Sequence, residues 1–478
     1  MKQTIIKSFF CLFFLTLIIS CVKEKNLYNG EEEEEPAEVY TPYLYPYGNE
    51  AQNITAEIII ETNDEINANE LITYIPHLKY NKTWLFMLTQ DDCKHAAYSC
   101  TWAAINGKPL SNQYYYDAAQ LYNKDLPPDV YSLGKTLGCT DGTGKEVRFH
   151  FTTTLAPEWS WMDAVTEVKK GFTKNHYRFY MKEGLIWDNV KELLNYGNGI
   201  AFHDVNTDDI NNSEIIRKHF EMSQEKILDK LSGRGCKMLA EPNGNKSYID
   251  AAMNYKPIQT ITAQSDATSI QPFLVENDLN KVVINRVFYD NPDMLKEEIK
   301  KQLAIEKNNR YAVTLGVHNT NKPWVDFLLW LNDSYGKDGD DSVWFPCQEE
   351  YYEYNFYRIH GSVKTEQIET NKLKLTVNFP SESYFYYPSI TVNIGGLSEK
   401  QIVSISSNDA VTGFSFGNYE KGIMLNIDCR KSLLQHATHF VEQYEKDKSN
   451  TSNKTDAIYF VNMLKDSDSK TKLNKRIK

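Results

Sequence analysis

Between about residues 81 and 360, short and almost uninterrupted apolar runs alternate along the chain with amphipathic stretches. An apolar run bounded by polar residues is typical of a strand buried on both faces, as in a parallel sheet. The strand candidates are Trp84–Leu88, Val147–Thr152, Gly199–His203, Lys237–Ala240, Pro257–Thr262, Val282–Phe288, Ala312–His318 and Ser342–Phe345. Between them, Ser213 to Leu231 has helical periodicity, and Gly233 follows as a terminator. The alternation predicts an α/β fold around a parallel sheet, open or closed as a barrel.

After about residue 370 the pattern changes to alternating polar and apolar positions. Lys372–Val377 and Ser389–Ile394 both alternate in this way, and Gly, Ser and Asn residues separate the later short runs. Such alternation is typical of antiparallel strands with one solvated face. It predicts a β-sandwich-like module in residues 366–478, after a larger unit in residues 46–365 that begins with a β extension. A helix is expected from Ser432 to Tyr444, before a polar, lysine-rich end that is expected to fray.

The first residues have the features of an export signal. Lys2 and Lys7 precede an apolar stretch that is too short for a comfortable membrane span, and the run ending at Cys21 resembles the bacterial lipoprotein cleavage box. Residues 1–21 are therefore predicted to be a lipoprotein signal peptide, with Cys21 acylated in the mature chain. An uncleaved anchor or a plain signal peptide is the alternative. The expected location is the bacterial cell envelope, with the protein anchored to the membrane by lipid and facing the periplasm or the exterior.

Charge and composition narrow the classes of partner. The run Glu31–Glu35 repels itself, so residues 22–45 are predicted to be an acidic, solvated tether. The net charge of -12 argues against a nucleic-acid partner, because phosphate binding needs clustered Lys and Arg. The 31 Tyr, 22 Phe and 8 Trp give weak support for a sugar-binding surface. The cysteines fit no zinc-binding spacing, and a disulfide of Cys93 with Cys100 or Cys139 is left open.

Polar residues that could take part in catalysis or metal binding follow four of the predicted strands. Asp91 and Asp92 end the first, His203 ends the third, Glu241 follows the fourth, and His318 ends the seventh. Taken alone, the Asp pair most simply opens a loop, and each His is more often structural than a ligand. Their shared position matters more, because α/β barrels gather their active sites at the carboxyl ends of their strands. There one carboxylate can bind a metal while its neighbour acts as a general base.

The order of these segments resembles the polysaccharide deacetylase family, carbohydrate esterase family 4, over about residues 81–360. The family pattern is Thr-Phe-Asp-Asp-Gly, a His-x-x-x-His-like segment, an Arg/Phe-x-Pro-Tyr-Gly-like turn and finally Leu-x-His. The corresponding segments here are Thr89–Cys93, the stretch that begins at His203, Leu239–Gly244 and Leu315–His318. The resemblance implies a distorted (β/α) barrel of the polysaccharide deacetylase type.

The resemblance also implies roles for individual residues. Asp92 and His203 would bind a divalent metal, and zinc is the expected ion. Asp91 would be the catalytic base, and His318 would protonate the leaving group. The family's second metal histidine corresponds to Thr207, so Asp204 or Asp208 is expected to replace it, within an acidic turn that is as readily a solvated, helix-capping loop. The arginine that orients the base in many members has no expected counterpart, because Ala240 stands in its position.

Three functions follow from this sequence. The first is metal-dependent removal of acetyl groups from a glycan outside the cytoplasm. The alternative is a catalytically degenerate, carbohydrate-binding lipoprotein on the same fold. A third possibility is a scaffold lipoprotein whose β module contacts partners.

Overall fold

The computed structural model describes residues 39–48, 52–166, 184–206, 210–289 and 291–478, and those from Val39 onward belong to one compact unit. The strands of this part are β1 (Ile54–Thr62), β2 (Ile72–Tyr74), β3 (Trp84–Gln90), β4 (Gly138–Thr140), β5 (Glu146–Arg148), β6 (Thr152–Thr154), β7 (Gly199–Ala201), β8 (Met238–Ala240), β9 (Thr260–Ala263), β10 (Val283–Asn285), β11 (Val287–Phe288), β12 (Val313–Val317), β13 (Val343–Trp344), β14 (Ser362–Glu369), β15 (Lys372–Phe379), β16 (Ser389–Gly395), β17 (Ile402–Ser407), β18 (Gly413–Tyr419) and β19 (Gly422–Asp428). Its α-helices are α1 (Ala103–Ile105), α2 (Ala118–Tyr122), α3 (Trp187–Asn195), α4 (Ser213–Lys230), α5 (Lys246–Met253), α6 (Pro292–Leu303), α7 (Lys322–Tyr335), α8 (Gln348–His360), α9 (Leu433–Lys446), α10 (Thr451–Met463) and α11 (Asp468–Ile477).

The parallel strands of the described residues lie in two sheets. One has the order β11-β12-β3-β6-β7, with β13 also paired to β3, and the other has the order β10-β9-β8. A parallel bridge between Phe202 and Leu239 joins the edges of the two sheets, and Arg286 alone separates β10 from β11. The predicted α/β class with a parallel sheet is confirmed. The ladders between the described strands do not form a closed barrel, so the barrel stays a prediction.

Strand β3 carries the first candidate residues and is covered on both faces. All seven of its residues are buried. Trp84, Phe86 and Leu88 belong to the large hydrophobic cluster that also contains side chains of helices α3, α4 and α7. Leu85 and Met87 belong to a second cluster, which includes side chains of helix α8 and of the antiparallel strands. Because neither face meets water, the strand has an apolar run instead of an alternating pattern.

The antiparallel strands form two four-stranded sheets, β14-β15-β1-β17 and β18-β19-β16-β2. Ile58, Leu375, Val392 and Leu425 are all buried in one hydrophobic cluster. Antiparallel strands are therefore present after residue 370, as the alternating pattern predicted, but each sheet also takes one strand from the N-terminal part of the chain. Local periodicity can identify a strand but not the distant strand with which it pairs. For this reason the sequence did not predict that N-terminal strands join these sheets. The sandwich description stays a prediction.

Three helices end the chain, and they are well packed. The rings of Phe440 and Phe460 stack with centroids 4.0 Å apart, and Ile477 on the last helix is buried. Asp456 on α10 accepts a hydrogen bond of 2.6 Å from Arg148. The expectation of a fraying end is wrong, because apolar side chains at helical spacing give these lysine-rich helices a buried face.

The predicted signal peptide, Cys21 and the run Glu31–Glu35 lie outside the described residues. Residues 39–48 lie against the folded unit, where the Tyr45 backbone N–H donates to Asn195 Oδ1 at 2.8 Å. In the part of the chain that the structure describes, no helix combines the length and the apolar character that a membrane span requires. The domain boundaries predicted at residues 45 and 365 stay predictions.

The six cysteines of the described residues are free thiols. The disulfide that the sequence left open, between Cys93 and either Cys100 or Cys139, is therefore not formed. Burial raises the pKa of Cys93 to about 12, so the thiol next to Asp92 stays protonated and unreactive.

Candidate active site

The Asp91-Asp92 pair leaves the sheet through an unusual turn. The Asp91 N–H still donates to the Val317 carbonyl oxygen at 2.8 Å, which continues the pairing with β12. Asp92 and Cys93 then adopt φ angles of 58° and 50°, in the left-handed region that favours glycine. The Cys93 N–H donates to Thr154 Oγ1 at 3.1 Å and so ties the turn to the end of β6. Strained backbone held by such contacts is frequent at functional sites.

Asp91 is fixed by an arginine that sequence reasoning missed. Arg286 Nη1 donates to Asp91 Oδ1 at 2.7 Å, and the two side chains are 0% and 2% exposed. Arg286 Nη2 donates to the Glu241 carbonyl oxygen at 2.6 Å. The expectation that the family's orienting arginine has no counterpart is wrong as far as the contact with Asp91 is concerned, since Arg286 reaches Asp91 from the break between β10 and β11. A lone arginine inside the apolar run Val282–Phe288 was the available signal.

His203 points its second ring nitrogen at both carboxylates. Its Nδ1 lies 2.7 Å from the Ala240 carbonyl oxygen, which can only accept, so Nδ1 carries the hydrogen. This leaves Nε2 at 3.4 Å from Asp92 Oδ1 and 3.9 Å from Asp91 Oδ2. Burial lowers the pKa of His203, but the charges of Asp91 and Asp92 outweigh it and the net shift is upward. A carbonyl that orients a histidine is the usual support of a metal ligand.

Asp204 completes a possible metal-binding group. One donor atom from each of Asp92, His203 and Asp204 lies within 4.8 Å of the others. Of the two residues expected to replace the missing histidine, Asp204 is thus in place, whereas Asp208 and Thr207 lie outside the described residues. One imidazole nitrogen and two carboxylate oxygens suit zinc and other first-row divalent ions.

The electrostatics of this group also suit a cation. The interaction with His203 is the largest cause that lowers the pKa of Asp92, to about 2. Burial raises the pKa of Asp204; His203 opposes that shift, and the charges of Asp92 and Asp91 add to it. Arg286 is paired with Asp91, and Lys94 Nζ lies 3.4 Å from Asp92 Oδ2, so Asp204 is the carboxylate of this cluster without an ion-pair partner in the described residues. A divalent ion would balance this negative charge.

His318 and Glu241 lie around this group. His318 follows β12, is exposed, and stacks on Phe288 with ring centroids 5.2 Å apart. Its charge contributes to lowering the pKa of Asp92, so it lies near the metal-binding group without belonging to it. Glu241 is fully buried, and neither carboxylate oxygen has a hydrogen-bonding partner in the described part of the chain. Burial raises the pKa of Glu241, and the nearby Gln264 backbone opposes that shift.

Comparison with protein families gives a match over most of the chain. A family model described as "Putative polysaccharide deacetylase" matches residues 56–478. The match includes every strand-end residue described above, the antiparallel sheets and the three C-terminal helices. No protein with a curated description matches the chain significantly.

Proposed function

The chain belongs to the putative polysaccharide deacetylase family, and on this premise we propose that it removes acetyl groups from a glycan in a metal-dependent reaction. The observation that carries the proposal is the convergence of Asp92, His203 and Asp204, whose donor atoms lie within 4.8 Å of one another. Asp91, held by a buried arginine, lies beside this group. The arrangement combines a candidate metal site with a base, the two parts that metal-dependent hydrolysis of an acetyl group uses.

The metal is held, in this proposal, by Asp92, His203 and Asp204, and zinc is the ion that we expect. When bound, such an ion polarises the acetyl carbonyl and lowers the pKa of water. Ala240 keeps the His203 imidazole in the tautomer that presents Nε2, through the 2.7 Å contact at Nδ1. The positive φ of Asp92 turns its carboxylate toward the same point.

Asp91 is the proposed base. Its Oδ1 is occupied by Arg286, which is 0% exposed and bonded on its other side to the Glu241 carbonyl oxygen. The unoccupied Oδ2 faces His203 at 3.9 Å and takes the proton from the attacking water. Arg286 therefore acts as a positioning residue, because it fixes the direction of the carboxylate.

His318 is the proposed acid. It is exposed at the end of β12, so a substrate can reach it, and its stacking on Phe288 limits the orientations of the ring. From there it donates a proton to the leaving amine or alcohol, while Asp91 removes a proton at the metal-binding group. No nucleophilic side chain is needed, which agrees with the protonated Cys93 thiol.

Two further parts of the proposal concern fold and location. If Val283–Phe288 is counted as one strand interrupted at Arg286, the pairings run from β3 through β6 to β10 and back through β12, as in a distorted barrel.

The sequence before Cys21 supports a lipid-anchored protein of the bacterial cell envelope, where a glycan is within reach. The membrane is contacted through the lipid on Cys21.

The test measures metal content and acetate release from a panel of acetylated glycans. Asp91→Asn keeps a hydrogen-bond acceptor for Arg286 and is expected to retain metal but to lose about 100- to 10,000-fold in kcat/KM. Asp409→Asn, an exposed aspartate of the antiparallel module, is the matched control and should leave both unchanged. The proposal is wrong if the metal-saturated protein releases no acetate from any glycan, or if Asp91→Asn is fully active. Glycan binding without turnover would favour the degenerate carbohydrate-binding alternative.

A further inference from the structure

The three residues of the candidate metal site are not held in place equally well. Asp92 lies in a turn that a backbone hydrogen bond to Thr154 Oγ1 ties to β6. The His203 ring is oriented by the Ala240 carbonyl oxygen at 2.7 Å. Asp204 is exposed, and its carboxylate has no ion-pair partner in the described residues. The position of this carboxylate therefore depends on how the backbone around it is fixed.

The segment that carries Asp204 leaves the parallel sheet before it reaches that residue. The bridge of Phe202 with Leu239 is its last strand pairing in the described residues. Beyond that bridge, the Val205 side chain is buried in the large hydrophobic cluster, and the Val205 N–H donates to Tyr248 Oη on α5 at 3.4 Å. A hydrogen bond of that length is weak, so it fixes the backbone after Asp204 only loosely.

Glu158, in the loop that follows β6, gives this segment a shorter hydrogen bond. Its Oε2 accepts the Asn206 N–H at 2.9 Å, and its Oε1 lies 2.7 Å from His219 Nδ1 on α4. The Glu158 side chain is 11% exposed. Hydrogen bonds to a carboxylate are about twice as strong as those between neutral groups. The two oxygens of Glu158 thus join the backbone just after Asp204 to a helix.

The loop that carries Glu158 has further attachments to α4. Asp163, later in the same loop, pairs with both Lys226 and Lys230 of that helix at 2.9 Å. Asp163 Oδ1 also accepts a hydrogen bond of 3.1 Å from Trp187 Nε1. The Glu158 carboxylate is therefore presented to the segment of Asp204 from an anchored loop.

From these contacts we propose that Glu158 is a positioning residue of the metal site, which keeps Asp204 beside His203 and Asp92 by holding the backbone at Asn206. Without this hydrogen bond the Asp204 carboxylate has more freedom, and ordering it when a metal binds costs affinity. Glu158 acts through the backbone and is not itself a ligand. The inference rests on the proposed metal-dependent function, and it adds a residue that lies outside the strand ends.

The test compares Glu158→Ala with Glu158→Gln, which keeps an oxygen acceptor for the Asn206 amide. In the metal-free, full-length chain, hydrogen exchange read at single residues by mass spectrometry should be at least about tenfold faster at the Asn206 amide in the alanine variant. Calorimetric titration with Zn²⁺ should show affinity lowered at least about tenfold in the alanine variant and less than about threefold in the glutamine variant. A role in stability alone would lower the midpoint of thermal unfolding and leave the zinc affinity of the folded protein unchanged.

Asp163→Asn is the matched control, because Asp163 attaches the same loop to the same helix without a hydrogen bond to residues 204–206 in the described structure. It removes the charge that pairs with α4 and keeps the acceptor for Trp187, so exchange at Asn206 and zinc affinity should equal those of the wild type. If Glu158→Ala does not fold, Glu158→Leu fills the same space without an acceptor and has the same expected results.

The inference is overturned if a folded Glu158→Ala variant keeps the wild-type exchange rate at Asn206 or the wild-type zinc affinity. If that variant fails in this way while the wild type releases acetate, the deacetylase function stands without a role for Glu158. Zinc binding that depends on Glu158, with no acetate released from any glycan, would support the role of Glu158 and count against the deacetylase function. A wild-type protein that binds no zinc would overturn both.

Discussion

Charged side chains cluster at both ends of the parallel strands. The two groups differ in how many of their charges have an ion-pair partner and hydrogen bonds. At the amino ends of β7 and β8, Lys237 pairs with Glu353 and Arg234 pairs with Glu349, and all four side chains are 0% exposed. Glu353 also accepts two backbone hydrogen bonds of 2.7 and 2.6 Å. Each charge in this group has a counter-charge and at least one further partner, and of the polar side-chain atoms of these four residues Arg234 Nε has no hydrogen-bonding partner in the described residues.

At the carboxyl ends of the strands, the ion pairing and hydrogen bonding of the carboxylates are incomplete. The Asp92 side chain is 33% exposed, and its two cationic neighbours, His203 Nε2 and the half-exposed Lys94 Nζ, both stand at 3.4 Å, beyond a good hydrogen bond. Asp204 adds a second carboxylate, and the buried oxygens of Glu241 have no hydrogen-bonding partner in the described residues. Charges that a fold leaves uncompensated are expected where a ligand will compensate them, whereas fully paired charges maintain the fold. The same division between the two ends is known for α/β barrels.

The largest effect on stability is expected when an ion pair at the amino ends of the strands is broken. Glu353→Gln leaves Lys237 buried without a counter-charge, so the free energy of unfolding should fall by about 3–5 kcal/mol. Urea denaturation followed by far-UV circular dichroism measures this change. The double variant Lys237→Met with Glu353→Leu removes both charges and should recover most of the loss.

The matched change at the other end is Asp92→Asn. It removes one of two neighbouring carboxylates, so its unfolding free energy should stay within about 1 kcal/mol of the wild type or rise. Equal destabilisation by Glu353→Gln and Asp92→Asn would contradict the division into a structural and a functional group.

An effect on catalysis rather than on stability is expected at Arg286, which belongs to the carboxyl-end group but is itself buried and paired. Arg286→Lys keeps the charge and loses the fork that contacts both Asp91 and the Glu241 carbonyl oxygen. Steady-state kinetics should show kcat lower by about 10- to 100-fold, with KM and metal affinity nearly unchanged. An unchanged kcat would mean that Arg286 only stabilises the fold and does not position the base.

The sequence located the ends of several parallel strands for a physical reason, but the candidate Val147–Thr152 was wrong, because β5 ends at Arg148 and β6 begins only at Thr152. Strands buried on both faces have continuous apolar runs, so the residues that end them, such as Asp91 and His203, can be located from the sequence. Arg286 was missed because it interrupts an apolar run without a motif, and its role depends on a contact with Asp91 across 195 positions. The sequence predicted an N-terminal β extension but missed its pairing with the later antiparallel strands for the same reason, since a pair such as Ile58 with Leu375 is invisible to local periodicity.

The most direct test of the central claim is calorimetric titration of the metal-free protein with Zn²⁺. The account predicts one ion per chain, bound through Asp92, His203 and Asp204, with affinity reduced at least about tenfold in Asp92→Asn and in Asp204→Asn and unchanged in Asp409→Asn. If the Asp92 and Asp204 variants bind zinc as the wild type does, the carboxyl-end group is not the metal site and the account is wrong.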